Sequence, residues 1–146
     1  MSTSGLHTLL NYSNFYIKRQ NLESVYNNIR LVTRNILKNN NIRIVDQSGV
    51  IFRDNKISPE GWTYAYLLDL SHFSSHAFTD TGRGKMAIDM FTCNTDTKNH
   101  LKAVEQVNTF LVENYFCMLN SRQDIPRFIS ESDLEEHKCY KGACYR

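Results

Sequence analysis

Seven consecutive residues, Leu70-Ser71-His72-Phe73-Ser74-Ser75-His76, place a hydroxyl and two imidazoles in one short segment, and Phe91-Thr92-Cys93 adds a thiol downstream. A hydroxyl nucleophile with bases and a titratable thiol nearby suits nucleophilic attack on a carbonyl with acid–base assistance. Each residue also has a plainer reading. The histidines could belong to an ordinary strand, and free cysteine is usually a small buried apolar residue.

The elements that must position these groups follow from apolar spacing. Residues 5–12 read weakly as a strand. From Leu22, apolar side chains at Val25, Tyr26, Ile29, Val32 and Ile36 fall at helical spacing and form one stripe. The helix is expected to stop near Asn39-Asn40-Asn41, since asparagine tolerates the left-handed cap conformation. Residues 42–46 and 50–53 read as strand around a break at Ser48-Gly49, and Ser58-Pro59-Glu60-Gly61 as a turn. Further strands are expected over 62–70, 72–78 and 85–93, with a glycine-bearing loop over 79–84. A second helix is expected over 96–113, its inner face formed by Leu101, Val104, Val107, Phe110 and Leu111. Residues 115–119 suggest a last strand. Alternation puts Ser71 and His76 on opposite faces of one strand, so a break or bulge is expected at Ser71.

The predicted fold is an α/β (α+β) two-layer sandwich: an antiparallel sheet with two helices on one face, because two such helices cannot cover both. The bare face is expected to be solvated or buried against a second copy. Residues 1–120 are expected to form the domain, and 121–146 a polar, irregular C-terminal tail belonging to it.

With 146 residues and 17.0 kDa, the chain is the size of a single domain, which hides roughly 70% of its unfolded surface. Its 17 basic and 15 acidic residues leave a net charge of +2. The basic residues are scattered rather than striped, which argues against a nucleic-acid partner. No apolar run nears the roughly 20 residues needed to span a bilayer. Met1-Ser2-Thr3-Ser4-Gly5 lacks the pattern of a secretory signal. A cytoplasmic protein without a membrane partner is expected. Its four cysteines are then expected as free thiols. Cys139 and Cys144, with His137 nearby, resemble half a metal site, but no second ligand pair matches, so no metal is expected.

The motifs occur in a telling order: Gly5-x-His7, Ser58-Pro59-Glu60-Gly61, Ser71-His72-x-x-x-His76 and Ala87-Ile88-Asp89-Met90-Phe91-Thr92-Cys93. Over roughly residues 5–119 this resembles the small, prokaryotic-type S-adenosylmethionine decarboxylases, which are self-processing pyruvoyl enzymes. The resemblance implies that Ser71 attacks the carbonyl before it and becomes a pyruvoyl group. That ketone then forms a Schiff base with the substrate and acts as electron sink for decarboxylation. It also implies that His76 assists processing, with Thr63 in the place of a helping family serine. Cys93 would reprotonate the substrate carbon, a role suited to a thiol whose free pKa lies near 8.5. His72 is a supporting candidate. Phe78, Asp80, Ile57, Glu60 and His7 are the expected substrate contacts, and a homodimer or higher homo-oligomer is implied, with the site near the subunit interface.

Two positions depart from the family pattern. Leu70 stands where glutamate usually precedes the processed serine. The chemistry needs only a carbonyl there, but an acidic group that could position or protonate the splitting amide is gone. Ile57 replaces an aromatic residue that stacks on adenine, a contact worth roughly 1–3 kcal/mol. These departures leave alternatives open. One is an unprocessed scaffold without cofactor, acting as a lyase that releases methylthioadenosine and homoserine lactone from S-adenosylmethionine or a nucleotide conjugate of it. Another is a non-catalytic, ligand-binding partner subunit. A third is a sister decarboxylase acting on another amino acid such as arginine.

Overall fold

In the computed structural model, whose described residues are 3–53, 59–69, 71–79, 84–93 and 97–129, the expected order of elements is observed. The chain runs β1 (Thr3–Ser13), a 3-10 turn (Arg19–Asn21), α1 (Leu22–Asn39), β2 (Ile44–Phe52), β3 (Gly61–Leu68), β4 (Ser71–Phe78), β5 (Lys85–Thr92), α2 (Lys98–Tyr115) and β6 (Met118–Ile129). The strands form one antiparallel sheet in the order β2-β3-β4-β5-β1-β6. Both helices lie on one face, giving an α+β sandwich. Among the described residues, no helix is long and apolar enough to cross a membrane.

The core between the layers is aromatic. Trp62, Tyr64 and Tyr66 of β3 alternate inward, with Phe73 and Ala77 of β4 and Met86, Ile88 and Met90 of β5 beside them. Burying tyrosine and tryptophan requires partners for their polar tips. Tyr64 Oη lies 3.0 Å from Thr33 Oγ1, Tyr66 Oη donates to the Arg30 carbonyl at 2.6 Å, and Trp62 Nε1 donates to Ser75 Oγ at 3.2 Å. The two tyrosine bonds reach α1 and so fix the layer spacing as well as satisfying the tips. Burial drives the Tyr64 phenol far above its ordinary range, so it stays neutral and serves as a fixed partner.

Several elements differ from expectation. β2 is continuous through Ser48-Gly49, and its register shift falls between Ile44 and Asp46 instead. Gly49 opposes Tyr64, and a Cβ there would come within 2.2 Å of Tyr26 Oη. The glycine makes room for a side chain; it does not break the strand. The α1 stripe buries Leu22, Tyr26, Ile29, Thr33 and Leu37, with Val25 and Ile36 at its margin. Asn41 takes the left-handed conformation that ends α1, at φ 59°.

The inner face of α2 is His100, Ala103, Val104, Val107 and Leu111, so Leu101 turns outward in place of the expected inward position. The last strand begins after Tyr115, which is helical, and runs on to Ile129 along β1. The expected irregular chain after Asn120 is therefore strand as far as Ile129. An edge strand draws its order from main-chain pairing, so its polar side chains hide it from apolar pattern. Pro126 is tolerated there because an edge position needs no second ladder donor.

Gly61 opens β3 directly opposite Phe78, and a Cβ on it would lie 1.8 Å from the Ala77 carbonyl oxygen. Backbone would have to move. Gly61→Ala is expected to destabilise the fold by about 2–3 kcal/mol, and chemical denaturation of the purified chain checks this.

Candidate active site

Three groups of chemistry-bearing side chains converge from different elements. The first lies at the end of the sheet where β3 hands over to β4. Leu68 and Ser71 are cross-strand partners, which makes Ser71 the first residue of β4. Cys93 follows the end of β5, past the Leu6↔Thr92 and His72↔Phe91 pairs, so its N–H is free of the ladder. That N–H donates to Ser71 Oγ at 3.2 Å. Both residues line a cleft of about 170 Å³ shared with Leu68, Asp69, Thr92, Asn99, His100 and the Asn41–Arg43 segment. Arg43 and Asp69 pair across its rim at 3.5 Å. A larger groove of about 640 Å³ runs from α1 onto β2 past Arg43. Neither Ser71 nor Cys93 lines it; both line the smaller cleft.

The second group sits on the bare face of the sheet. Thr63 and His76 are cross-strand partners, and Thr63 Oγ1 lies 3.0 Å from His76 Nδ1. Phe78, 44% exposed, stands two residues further along β4, with its ring 6.2 Å from Phe52. Glu60 is nearby: its carbonyl accepts from Thr79 N at 2.9 Å. Its carboxylate Oε1 lies 2.9 Å from Arg19 Nε, in an ion pair whose N–H points elsewhere, so that oxygen is buried without a hydrogen bond.

The third group is also on the bare face, at the Ser71 end. His7, His72 and Phe91 form mutual ring contacts of 5.7–5.9 Å, and Arg127 caps the Phe91 ring at 5.4 Å. His7 Nε2 is 3.7 Å from Asp89 Oδ1, beyond hydrogen-bond length, and is buried without a partner. Burial lowers the His7 pKa below its ordinary value against the raising influence of Asp89, with His72 and Arg127 adding to the fall. Asp89 and Arg127 were not anticipated as members, although Asp89 lies inside the motif read from sequence.

The structure therefore brings Ser71 to Cys93, Thr63 to His76, and His7 to His72, but it does not bring Ser71 to His76. Among the described residues, β4 pairs with β3 in unbroken register from Ser71 onward, so no bulge falls between Ser71 and His76. Five residues of extended strand separate Ser71 from His76 by roughly 16 Å, and alternation sends them to opposite faces. Ile57, Leu70 and Asp80 lie outside the described residues, as do His137, Cys139 and Cys144. Among the described residues, no cluster of three His, Cys, Asp or Glu side chains is placed as metal ligands are. Cys93 and Cys117 are free thiols, and burial pushes the Cys117 thiol up to about 11.

Residues 7–123 match the family model for S-adenosylmethionine decarboxylase. The chain belongs to the S-adenosylmethionine decarboxylase family. No curated protein matches it at a significant level. The match runs from His7 in β1 to Gln123 in β6 and so includes all three groups except Arg127. Membership implies a decarboxylase-type lyase related to polyamine metabolism, with S-adenosylmethionine as the family's substrate. The family is typically pyruvoyl-dependent, and the residues here fit that group. Ser71 would supply its atoms at the wall of the cleft of about 170 Å³, with its Oγ already held by a main-chain donor.

Proposed function

We propose that this protein is a self-processing decarboxylase of S-adenosylmethionine, with Ser71 as nucleophile and cofactor precursor. The observation that carries the reading is the Cys93 N–H to Ser71 Oγ contact at the end of β4. It leaves the serine proton free to depart and holds the oxygen in place. Attack of Ser71 Oγ on the Leu70 carbonyl breaks the amide C–N bond and forms an ester, while the serine proton moves to the nitrogen. Loss of the Ser71 Cα proton and cleavage of its Cβ–O bond then release residues 1–70 with a terminal carboxylate. Hydrolysis of the remaining enamine frees ammonia and leaves a ketone at the start of 71–146. Once formed, that pyruvoyl group supplies the electron sink for loss of carbon dioxide.

The chain's own residues do the rest. Cys93, beside Ser71, is the proton donor to the substrate carbon. Phe78 offers a stacking face for adenine, with Phe52 behind it, and Glu60 supplies a carboxylate at that end of the site. Thr63 and His76 form a proton-handling pair. Because one chain keeps this pair roughly 16 Å from Ser71 and on the opposite face of the sheet, with Phe78 and Glu60 farther still, we infer that all four serve the Ser71 site of a second copy. A cytoplasmic homodimer is thus part of the reading.

The test is to incubate the purified chain with S-adenosylmethionine labelled at its carboxylate. Labelled carbon dioxide is expected, together with two fragments by mass. An intact 17.0 kDa chain after prolonged incubation, or methylthioadenosine released without carbon dioxide, would overturn the proposal.

A further inference from the structure

His100 is buried to 2% exposure on a helix face that is otherwise Ala103, Val104, Val107 and Leu111. Leaving an imidazole nitrogen unpartnered there would cost roughly 1–3 kcal/mol, and neither is unpartnered. Nε2 lies 2.7 Å from Thr8 Oγ1, and Nδ1 lies 2.8 Å from Thr92 Oγ1. The proton directions can be assigned. Thr8 Oγ1 donates its single proton to Asp124 Oδ1 at 2.5 Å, so it must accept from His100. The Nε2 nitrogen therefore carries the hydrogen, and Nδ1 accepts from the Thr92 hydroxyl. Asp124 is held in turn by Arg122 Nε at 3.1 Å, and Arg122 pairs with Glu105 of α2. The chain of bonds ties β1, β5, β6 and α2 together at one point.

That point is one residue before Cys93. Thr92 is the last residue of β5, and Cys93 has left the ladder, so strand pairing does not aim its N–H. The side chain of Thr92 is stiff at χ1, and its hydroxyl is spent on His100. Fixing that hydroxyl fixes the backbone that carries the Cys93 N–H to Ser71.

We propose that His100 is a positioning residue, which through Thr92 holds the Cys93 N–H, and the adjacent thiol, against Ser71. The inference deepens the self-processing reading and, for its catalytic meaning, rests on it. A histidine that merely filled the core would not care which of its two nitrogens was replaced.

Two variants of the full chain separate the nitrogens. In His100→Asn, Oδ1 reaches the Nδ1 position and keeps the acceptor for Thr92. In His100→Gln, Nε2 reaches the Thr8 side and loses that acceptor. A second pair guards against misfolding: Thr92→Ser keeps the hydroxyl, and Thr92→Val removes it while retaining the shape. If the wild-type chain cleaves, the readout is the rate of fragment formation. His100→Asn and Thr92→Ser are expected within about threefold of wild type, and His100→Gln and Thr92→Val slowed at least about tenfold. If the wild-type chain stays whole, the processing reading fails. The readout is then hydrogen exchange of the Cys93 amide, with the same pairing of variants and the same fold-changes, while amides of Ile88 and Met90 stay unchanged. Equal behaviour within either pair of variants, by whichever readout applies, would overturn the inference.

Discussion

Ser71→Ala is expected to remain one species of 17.0 kDa under conditions in which the wild-type chain divides into 1–70 and 71–146. The reason is the loss of the attacking atom: without Oγ no ester forms, and no other side chain can donate the atoms of the ketone. Removing an attacking serine from a hydrolase costs on the order of 10⁶-fold in rate, so decarboxylation should fall below detection. The fold should survive. Ser71 is half-buried at the start of β4, and its hydroxyl accepts one main-chain bond beside an open cleft. Water can replace that acceptor, which limits the loss to about 1 kcal/mol. Mass spectrometry with a thermal melt checks both halves. A cleaved Ser71→Ala chain would remove Ser71 from its assigned role.

The second large effect concerns acid. Burial pulls His100 down to about 4, against the raising influence of Asp124 and with help from Arg122 and His7. In the unfolded chain a histidine titrates near 6.5. The folded state therefore binds fewer protons than the unfolded state between these values. Stability is fully present above about pH 6.5 and is lost as pH falls toward 4, by about 3 kcal/mol for this group alone. His7, shifted the same way, adds to the loss. Urea denaturation at pH 7 and pH 4.5 should show a fall in wild-type stability. His100→Asn, which has no proton to gain, should shrink that fall by about 2–3 kcal/mol. An unchanged difference between the two pH values would mean that His100 is accessible to protonation in the folded state.

Much of the fold can be read from single residues. The α1 stripe, the asparagine stop at Asn41 and the inward alternation of Trp62, Tyr64 and Tyr66 are all local signals. Each element carries enough apolar side chain to declare its own period. Two of the misreadings share one cause, which is that polarity stood in for burial. Leu101 outranks His100 on any apolar scale, yet His100 is inside because Thr8, Thr92 and Asp124 wait for it there. Beyond Asn120, β6 reads as tail because an edge strand needs only backbone to pair. Gly49 looked like a break because a sequence cannot show that Tyr26 will pass over it.

For the candidate site, sequence by itself determined the reactive inventory: Ser71, Thr63, His76, Cys93, and the motifs that place the chain in its family. Motifs are local, and local spacing survives in the sequence. Tertiary structure alone decided who meets whom. Strand register set Thr63 against His76, and it left Ser71 facing Cys93 on the other side of the sheet. It also brought Thr8, Thr92, His100 and Asp124 together from four separate elements. Contacts between residues so distant in sequence are fixed by pairing and packing, and those are properties of the folded sheet.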